Sequence, residues 1–288
     1  MKTYHSVKEL FALAEENHCS PGVIACRLES EESGKDFDEV WEKMKKTIPV
    51  FRQSIQRGLA DTKESASGLV GGDANTIFMR ESRFLSPVCR RACAYAIATA
   101  EANAKMFRIV ACPTAGSCGV LPAVLVTYYK EYNVPEEKMI EAMYVAAGLG
   151  QIIANRAYLA GASGGCQAEI GSGSGMAAGA ICYIKGGDTD QIGHACAMAL
   201  KNLMGLVCDP VGGLVEVPCV KRNVGGAVNA LAAADMALAG ITSKVPVDQV
   251  IDAMKEVGDK MDVSLRETGV GGVAGTPAAQ EVVEKLGM

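Results

Sequence analysis

Apolar residues in this chain recur at helical spacing and almost nowhere alternate. After Ser6, the residues Leu10, Phe11, Leu13 and Ala14 share one helical face. Ser6 and Glu9 have the spacing of an N-cap and its partner three residues on. Residues 36–58 read as a longer amphipathic helix with Phe37, Val40, Trp41 and Met44 on one face, and Pro49 is expected to kink or divide it. The Ala-rich run 87–110 predicts a helix, and another runs toward Lys130. Pro135 opens a helix with Met139, Ile140, Met143, Tyr144 and Ala147 in register. Further helices are expected over 176–184, 189–204 and 224–240. The last follows Pro246, carries a stripe of Val247, Val250, Ile251, Met254 and Val257, and stops at Gly258.

Four segments break this pattern: 65–78, 112–122, 161–175 and 205–223, each rich in Gly, Pro, Cys or Asp. The one strand-like run, "LVEV" at 214–217, is cut by Pro218. With no strand–helix alternation, the fold class is mainly α, a helical domain whose Gly-, Pro- and Cys-rich loops converge. Residues 1–288 read as one domain, with the more charged first sixty as an accessory helical subdomain.

Composition narrows the function. Of 288 residues 49% are hydrophobic, enough for a sizeable core. A net charge of −5 disfavours nucleic acid and anionic membranes as partners. The longest uncharged run, 109–129, has the length of a membrane span, but Pro113, Gly116, Gly119 and Pro122 interrupt it. Lys8, Glu9, Glu15 and Glu16 rule out a signal peptide at the start. A cytoplasmic protein is expected.

Eleven cysteines, an odd number, then argue against a disulfide framework. Cys93, Cys182 and Cys196 sit among Ala and Ile and read as small buried hydrophobes. Cys166 in "GGCQ", Cys208 in "VCDP" and Cys219 in "VPCV" fall in the irregular segments instead. None belongs to a CxxC pair, which argues against a zinc ribbon. Spacing alone leaves two readings open: buried loop cysteines, or thiolates framed by Gly and Pro so that something bulky can approach.

Longer strings decide more. "GASGGCQAEIGSGSGMAAG", "GLVCDPVGGLVEVPCVKRN" and "CPTAGSCGVLPAVL", with "SGLVGGDA" and "LRETGVGG", resemble the iron–sulfur L-serine dehydratases, specifically the α chain of the two-chain form. The resemblance covers nearly the whole chain. It implies that Cys166, Cys208 and Cys219 ligate a 4Fe–4S cluster whose fourth iron has no protein ligand. Such an iron acts as a Lewis acid, much as a catalytic zinc keeps an open position. The implied reaction eliminates water from L-serine, giving aminoacrylate and then pyruvate and ammonia. The resemblance places substrate binding at Ser67, Gly68, Gly71, Gly72 and Asp73, at Pro113, Thr114 and Gly116, and at Ser163 and Gly164. Cys112 and Cys118 flank the second loop and are taken as structural.

Other matched positions keep two readings. Asp209 orients a ligand or caps a turn; Lys221 and Arg222 hold a carboxylate or form a solvated basic pair. Arg266, Glu267 and Thr268 match a motif whose role does not follow from sequence. Single-chain members carry an "SSHTxGP"-like motif whose His is a candidate base. The histidines here, His5, His18 and His194, lie in no such motif. The catalytic base is therefore expected on a separate β chain, the implied partner.

Three rivals stand beside this reading. "GSGSG" at 171–175 is similar to a phosphate cradle of a pyridoxal-phosphate lyase, but the α/β pattern of those enzymes is missing. A related desulfidase would act on L-cysteine at the same kind of iron. A non-catalytic iron–sulfur subunit would carry a fully ligated cluster.

Overall fold

Ser6, Ser20, Asp36, Ser86, Asp188 and Thr276 each end a loop and start a helix, the side-chain oxygen accepting a backbone N–H of the first turn. The computed structural model describes residues 3–288. Its α-helices are α1 Val7–Glu16, α2 Pro21–Ser33, α3 Phe37–Lys45, α4 Thr47–Ala60, α5 Asp73–Met79, α6 Pro87–Ala104, α7 Val120–Glu131, α8 Glu136–Arg156, α9 Gly161–Gly164, α10 Ser172–Ile184, α11 Thr189–Asn202, α12 Cys219–Leu238, α13 Val247–Lys260 and α14 Pro277–Leu286. Among the described residues there is no strand, only an isolated parallel bridge between Cys208 and Arg266. No helix among them is long and apolar enough to cross a membrane.

The division expected from Pro49 falls at Lys46, three residues upstream. Pro49 thus lies in the first turn of α4, where its missing N–H costs no helical bond. The strand-like 214–217 is not a strand: a 3-10 turn at Val211–Gly213 precedes it and α12 begins at Cys219. The full reciprocal capping box lies at Asp188 and Gln191. At Ser6 the hydroxyl caps as expected, but Glu9 accepts from the backbone N–H of His5.

The largest revision concerns the glycine-rich run. It is helical from residue 167 onward, a π turn at Gln167–Gly171 leading straight into α10. Helix α10 is the buried centre of the molecule and packs on α7, α8, α11 and α12. Its small residues are what this position demands. A Cβ at Gly175 would lie 3.1 Å from Leu200 Cγ, and one at Gly179 only 2.4 Å from Leu149 Cδ1. The glycines of α10 therefore serve close helix packing, which offsets their backbone entropy cost.

The apolar core is continuous from Tyr4 through Met254 and takes in residues of α1, α2, α8, α10 and α13. Cys93, Cys182 and Cys196 lie within the interior, as their surroundings suggested. A smaller cluster of Val70, Ala74, Ile97, Ala98, Ala100 and Val220 lies beneath the 65–73 loop.

Glycine packing gives a direct stability test. A Cβ at Gly58 on α4 would overlap the backbone of Ala98 on α6, whereas Gly225 on α12 faces open space. Gly58→Ala should destabilise the fold by about 3 kcal/mol through overpacking. Gly225→Ala should stabilise it by about 0.5–1 kcal/mol through helix propensity. Urea unfolding of the two variants beside the parent checks both signs.

Candidate active site

Cys166 is placed by a sharp chain reversal. Helix α9 ends at Gly165, which has φ +77°. A Cβ there would also sit 2.5 Å from Met261 Sδ and 2.9 Å from the Leu206 carbonyl, so only glycine fits. Cys166 follows and leads into the π turn, where the N–H of Ser172 reaches back to the carbonyl of Gln167. A π turn inserts an extra residue per turn, which re-aims the side chains beside it.

Cys208 and Cys219 arrive from two other segments. The N–H of Cys208 donates to Leu265 O at 2.9 Å, and its carbonyl accepts from Glu267 N at 2.7 Å. Cys219 is the first residue of α12, following a cis Val217–Pro218 bond. It is thus on a helix terminus and not in an irregular loop. The three cysteines are 2%, 2% and 7% exposed, and every described cysteine is free.

Polar clamps hold these segments in register. Gln167 accepts from Gly205 N at 2.9 Å and donates to Met254 O at 3.0 Å, while its own N–H donates to Leu206 O at 2.9 Å. It fixes the Cys166 turn against the strap that carries Cys208. Asn223, fully buried, accepts from Gly119 N at 2.9 Å and donates to Gly116 O at 2.8 Å and Cys219 O at 2.9 Å. It joins the 112–119 loop to the start of α12. Arg222 donates to Val207 O at 2.8 Å and pairs with the buried Asp209 at 2.8 Å. Asp209 in turn accepts from Val273 N at 2.7 Å, tying down the turn at Gly272–Gly275.

The thiols are close enough to influence one another. Burial pushes Cys166 up to about 11, with Glu169 adding to the effect and Arg222 opposing it. Burial likewise pushes Cys219 up to about 12, with the Cys166 and Glu169 charges adding. Cys208 rises furthest, through burial first and then Cys166, Glu169, Glu267 and Cys219. None is a free thiolate nucleophile at neutral pH. The partly buried Glu169 lies among them. Its Oε1 accepts from Thr114 Oγ1 at 2.7 Å, and Cys208 Sγ is 3.9 Å from Oε2. Burial raises its carboxyl above the usual value. Among the described residues, no three His, Cys, Asp or Glu side chains are arranged to hold a single metal ion.

Four separate segments thus bring three thiols into one neighbourhood with the Glu169 carboxylate, which contacts Cys208 and Thr114. The sequence profile described as serine dehydratase alpha chain matches residues 19–274. The chain belongs to this family. It is 46% identical over 286 residues to a probable L-serine dehydratase, alpha chain, of Bacillus subtilis, covering 98% of this chain and 95% of that one. It is 38% identical over 281 residues to the L-serine dehydratase, alpha chain, of Peptoniphilus asaccharolyticus, covering 96% of each. Against the L-serine dehydratase TdcG of Escherichia coli it is 42% identical over 183 residues, covering only 40% of that protein.

Within this family member the sequence-derived positions separate into groups. Thr114 and Gly116 lie beside Glu169: a Cβ at Gly116 would be 3.0 Å from both of its oxygens. Pro113, after a cis Cys112–Pro113 bond, packs on Gly173 of α10. Cys112 and Cys118 are buried, and their S–H groups point at backbone carbonyls. The 65–73 loop attaches to the segment around Cys219. Ser65 and Ser67 donate to Glu216 Oε2 at 2.6 and 2.7 Å, and Asp73 pairs with Lys221 at 2.7 Å. Gly71 approaches the Lys63 backbone too closely for a side chain, and Gly68 and Gly72 have positive φ. Ser163 is exposed, and Gly164 packs on Tyr158 and α13. Lys221 and Arg222 are therefore each paired with an Asp of this chain, and 265–267 is the strap that bridges Cys208. His194 accepts from Ser243 N and lies outside this site.

Glu169, Gln167 and Asn223 escaped the sequence reading. One signal was available: Glu169 is the only charged residue between Arg156 and Lys185. No sequence pattern marks the two amides.

Two measurements test this geometry. Asn223→Leu strands the Gly119 N–H and the Gly116 carbonyl, each costing about 1–3 kcal/mol. A loss of about 2–6 kcal/mol in urea unfolding is expected. The second concerns Glu101, fully buried under the 65–73 loop, whose Oε1 accepts from Asp73 N at 2.9 Å. Burial raises its carboxyl above the usual 4.5, against the opposing Asp73 N–H and Lys105. A carboxyl raised on folding contributes stability at low pH and loses it as pH climbs through the folded value. Glu101→Gln should flatten the fall in stability as pH rises above 4.5. Urea midpoints across that range, wild type against variant, read the difference.

Proposed function

We propose that this chain is the α subunit of an iron–sulfur L-serine dehydratase, a lyase that eliminates water from L-serine to give pyruvate and ammonia. The observation that carries the reading is the meeting of Cys166, Cys208 and Cys219 beside Glu169 and Thr114. Soft thiolate donors without a histidine suit iron–sulfur chemistry. Cys166, Cys208 and Cys219 would hold a 4Fe–4S cluster with one iron lacking a protein ligand, and that iron would supply Lewis acidity toward the substrate hydroxyl.

This chain's own residues do the rest of the positioning. Gly161 lets the Cys208 sulfur lie against bare backbone, since a Cβ there would sit 2.6 Å from its Sγ. Thr114 fixes the Glu169 carboxylate. We read Ser67, Gly68, Gly71, Gly72, Asp73, Pro113, Thr114, Gly116, Ser163 and Gly164 as the substrate-side walls, within one catalytic unit spanning the chain. The proton on Cα is taken by a base on a β chain. The match to only 40% of the TdcG protein is consistent with a second region supplied separately. Eleven cysteines, free where described, suit a reducing, cytoplasmic setting.

Cysteine substitution tests the assignment. Cys166→Ser, Cys208→Ser and Cys219→Ser should each lose bound iron and sulfide and abolish serine turnover with the β chain. Cys112→Ala should retain both. Iron and sulfide analysis of anaerobically reconstituted protein, with pyruvate formation, gives the readout.

A further inference from the structure

We propose that the Glu169 carboxylate receives the α-ammonium group of the amino-acid substrate, an assignment that rests on the serine dehydratase reading above. Three acidic side chains near the site have a partner of opposite charge or a pair of hydroxyls. Asp209 pairs with Arg222, Asp73 with Lys221, and Glu216 holds Ser65 and Ser67. Glu169 has one hydroxyl, from Thr114, and a weak contact with the Cys208 thiol. Among the described residues no Lys or Arg forms an ion pair with it. The charged side chain acting on it is Glu267, of the same sign. Arg222, the cation near the thiols, is committed to Asp209 and to the Val207 carbonyl. Thiolates at the three cysteines would add more negative charge. An ionised carboxylate in such surroundings is costly until a cation joins it.

Glu169 is only partly buried, so a cation can reach its carboxylate. Gly116 and Gly161 flank it, and a Cβ at either would stand 3.0 Å from a carboxylate oxygen. With hydrogen in place of methyl, bare backbone closes these two sides and fixes where the carboxylate lies. Thr114 occupies Oε1 and fixes the plane of the group. Oε2 faces the Cys208 sulfur, which puts the cation subsite next to the thiols. An ammonium group, a compact cation with three donors, matches a carboxylate held in this way. The subsite then selects amino acids over hydroxy acids. It also favours release of pyruvate, which has no ammonium group.

The test uses the α–β holoenzyme. Glu169→Gln keeps an oxygen acceptor for Thr114 and removes the charge. L-Alanine and L-lactate keep the L configuration, lack the hydroxyl that is eliminated and differ at the ammonium position, so they are tested as competing ligands. Wild type should bind L-alanine about 10- to 100-fold more tightly than L-lactate, the range of a charge-assisted hydrogen bond. In Glu169→Gln that preference should vanish. The KM for L-serine should rise by a similar factor and kcat should change less, with iron content and the substrate-free Mössbauer spectrum unchanged. Retained preference in the variant overturns the assignment. So does an altered substrate-free spectrum, which would make Glu169 a metal ligand. Should the variant fail to fold, equal binding of the two ligands by wild type also overturns it. A wild-type holoenzyme that binds no cluster or turns over no serine overturns the serine dehydratase reading itself.

Discussion

Two buried amide side chains hold the site together. Asn223 links the 112–119 loop to Cys219, and Gln167 links the Cys166 turn to the strap leading to Cys208. Each bonds backbone groups that would otherwise be unpaired inside a helical core, where an orphaned donor or acceptor costs more than a made bond contributes. Segments up to 107 residues apart in sequence are joined in this way. The thiols converge because the backbones that carry them are pinned, while the sulfurs themselves have only weak interactions.

The glycines divide into two populations with different physical causes. Those at 175 and 179 let α10 pack tightly among its neighbours. Those at 116, 161 and 165 lie at the site, where they admit a tight reversal or let backbone stand close against Glu169 and Cys208. Tight packing around α10 gives the site a rigid floor, and the close backbone fixes where the carboxylate and the sulfur lie. A single glycine-rich string thus serves core and chemistry at once.

Much of this was legible in the sequence. Helical periodicity and caps give most elements, because amphipathic faces and N-cap chemistry act locally. The three cysteines stand out by their Gly and Pro framing. The π turn was not legible, since Gln167–Gly171 has the composition of a loop and becomes helical only through burial against α12 and α11. Asn223 and Gln167 were equally hidden, because their bonds run to backbone groups distant in sequence. For Lys221 and Arg222 the sequence left a carboxylate grip and a solvated basic pair equally open, and each is instead engaged by an Asp brought near by folding. The strap at 265–267 gains its meaning only from its bridge to Cys208.

The central claim is that three cysteines hold a cluster with one iron left open to substrate. Mössbauer spectroscopy of the anaerobically reconstituted α–β complex, before and after adding L-serine, tests it most directly. The account predicts that serine shifts the signal of a single iron site and leaves the others unchanged. A cluster whose irons all ignore serine, or a complex that assembles no cluster, would contradict it.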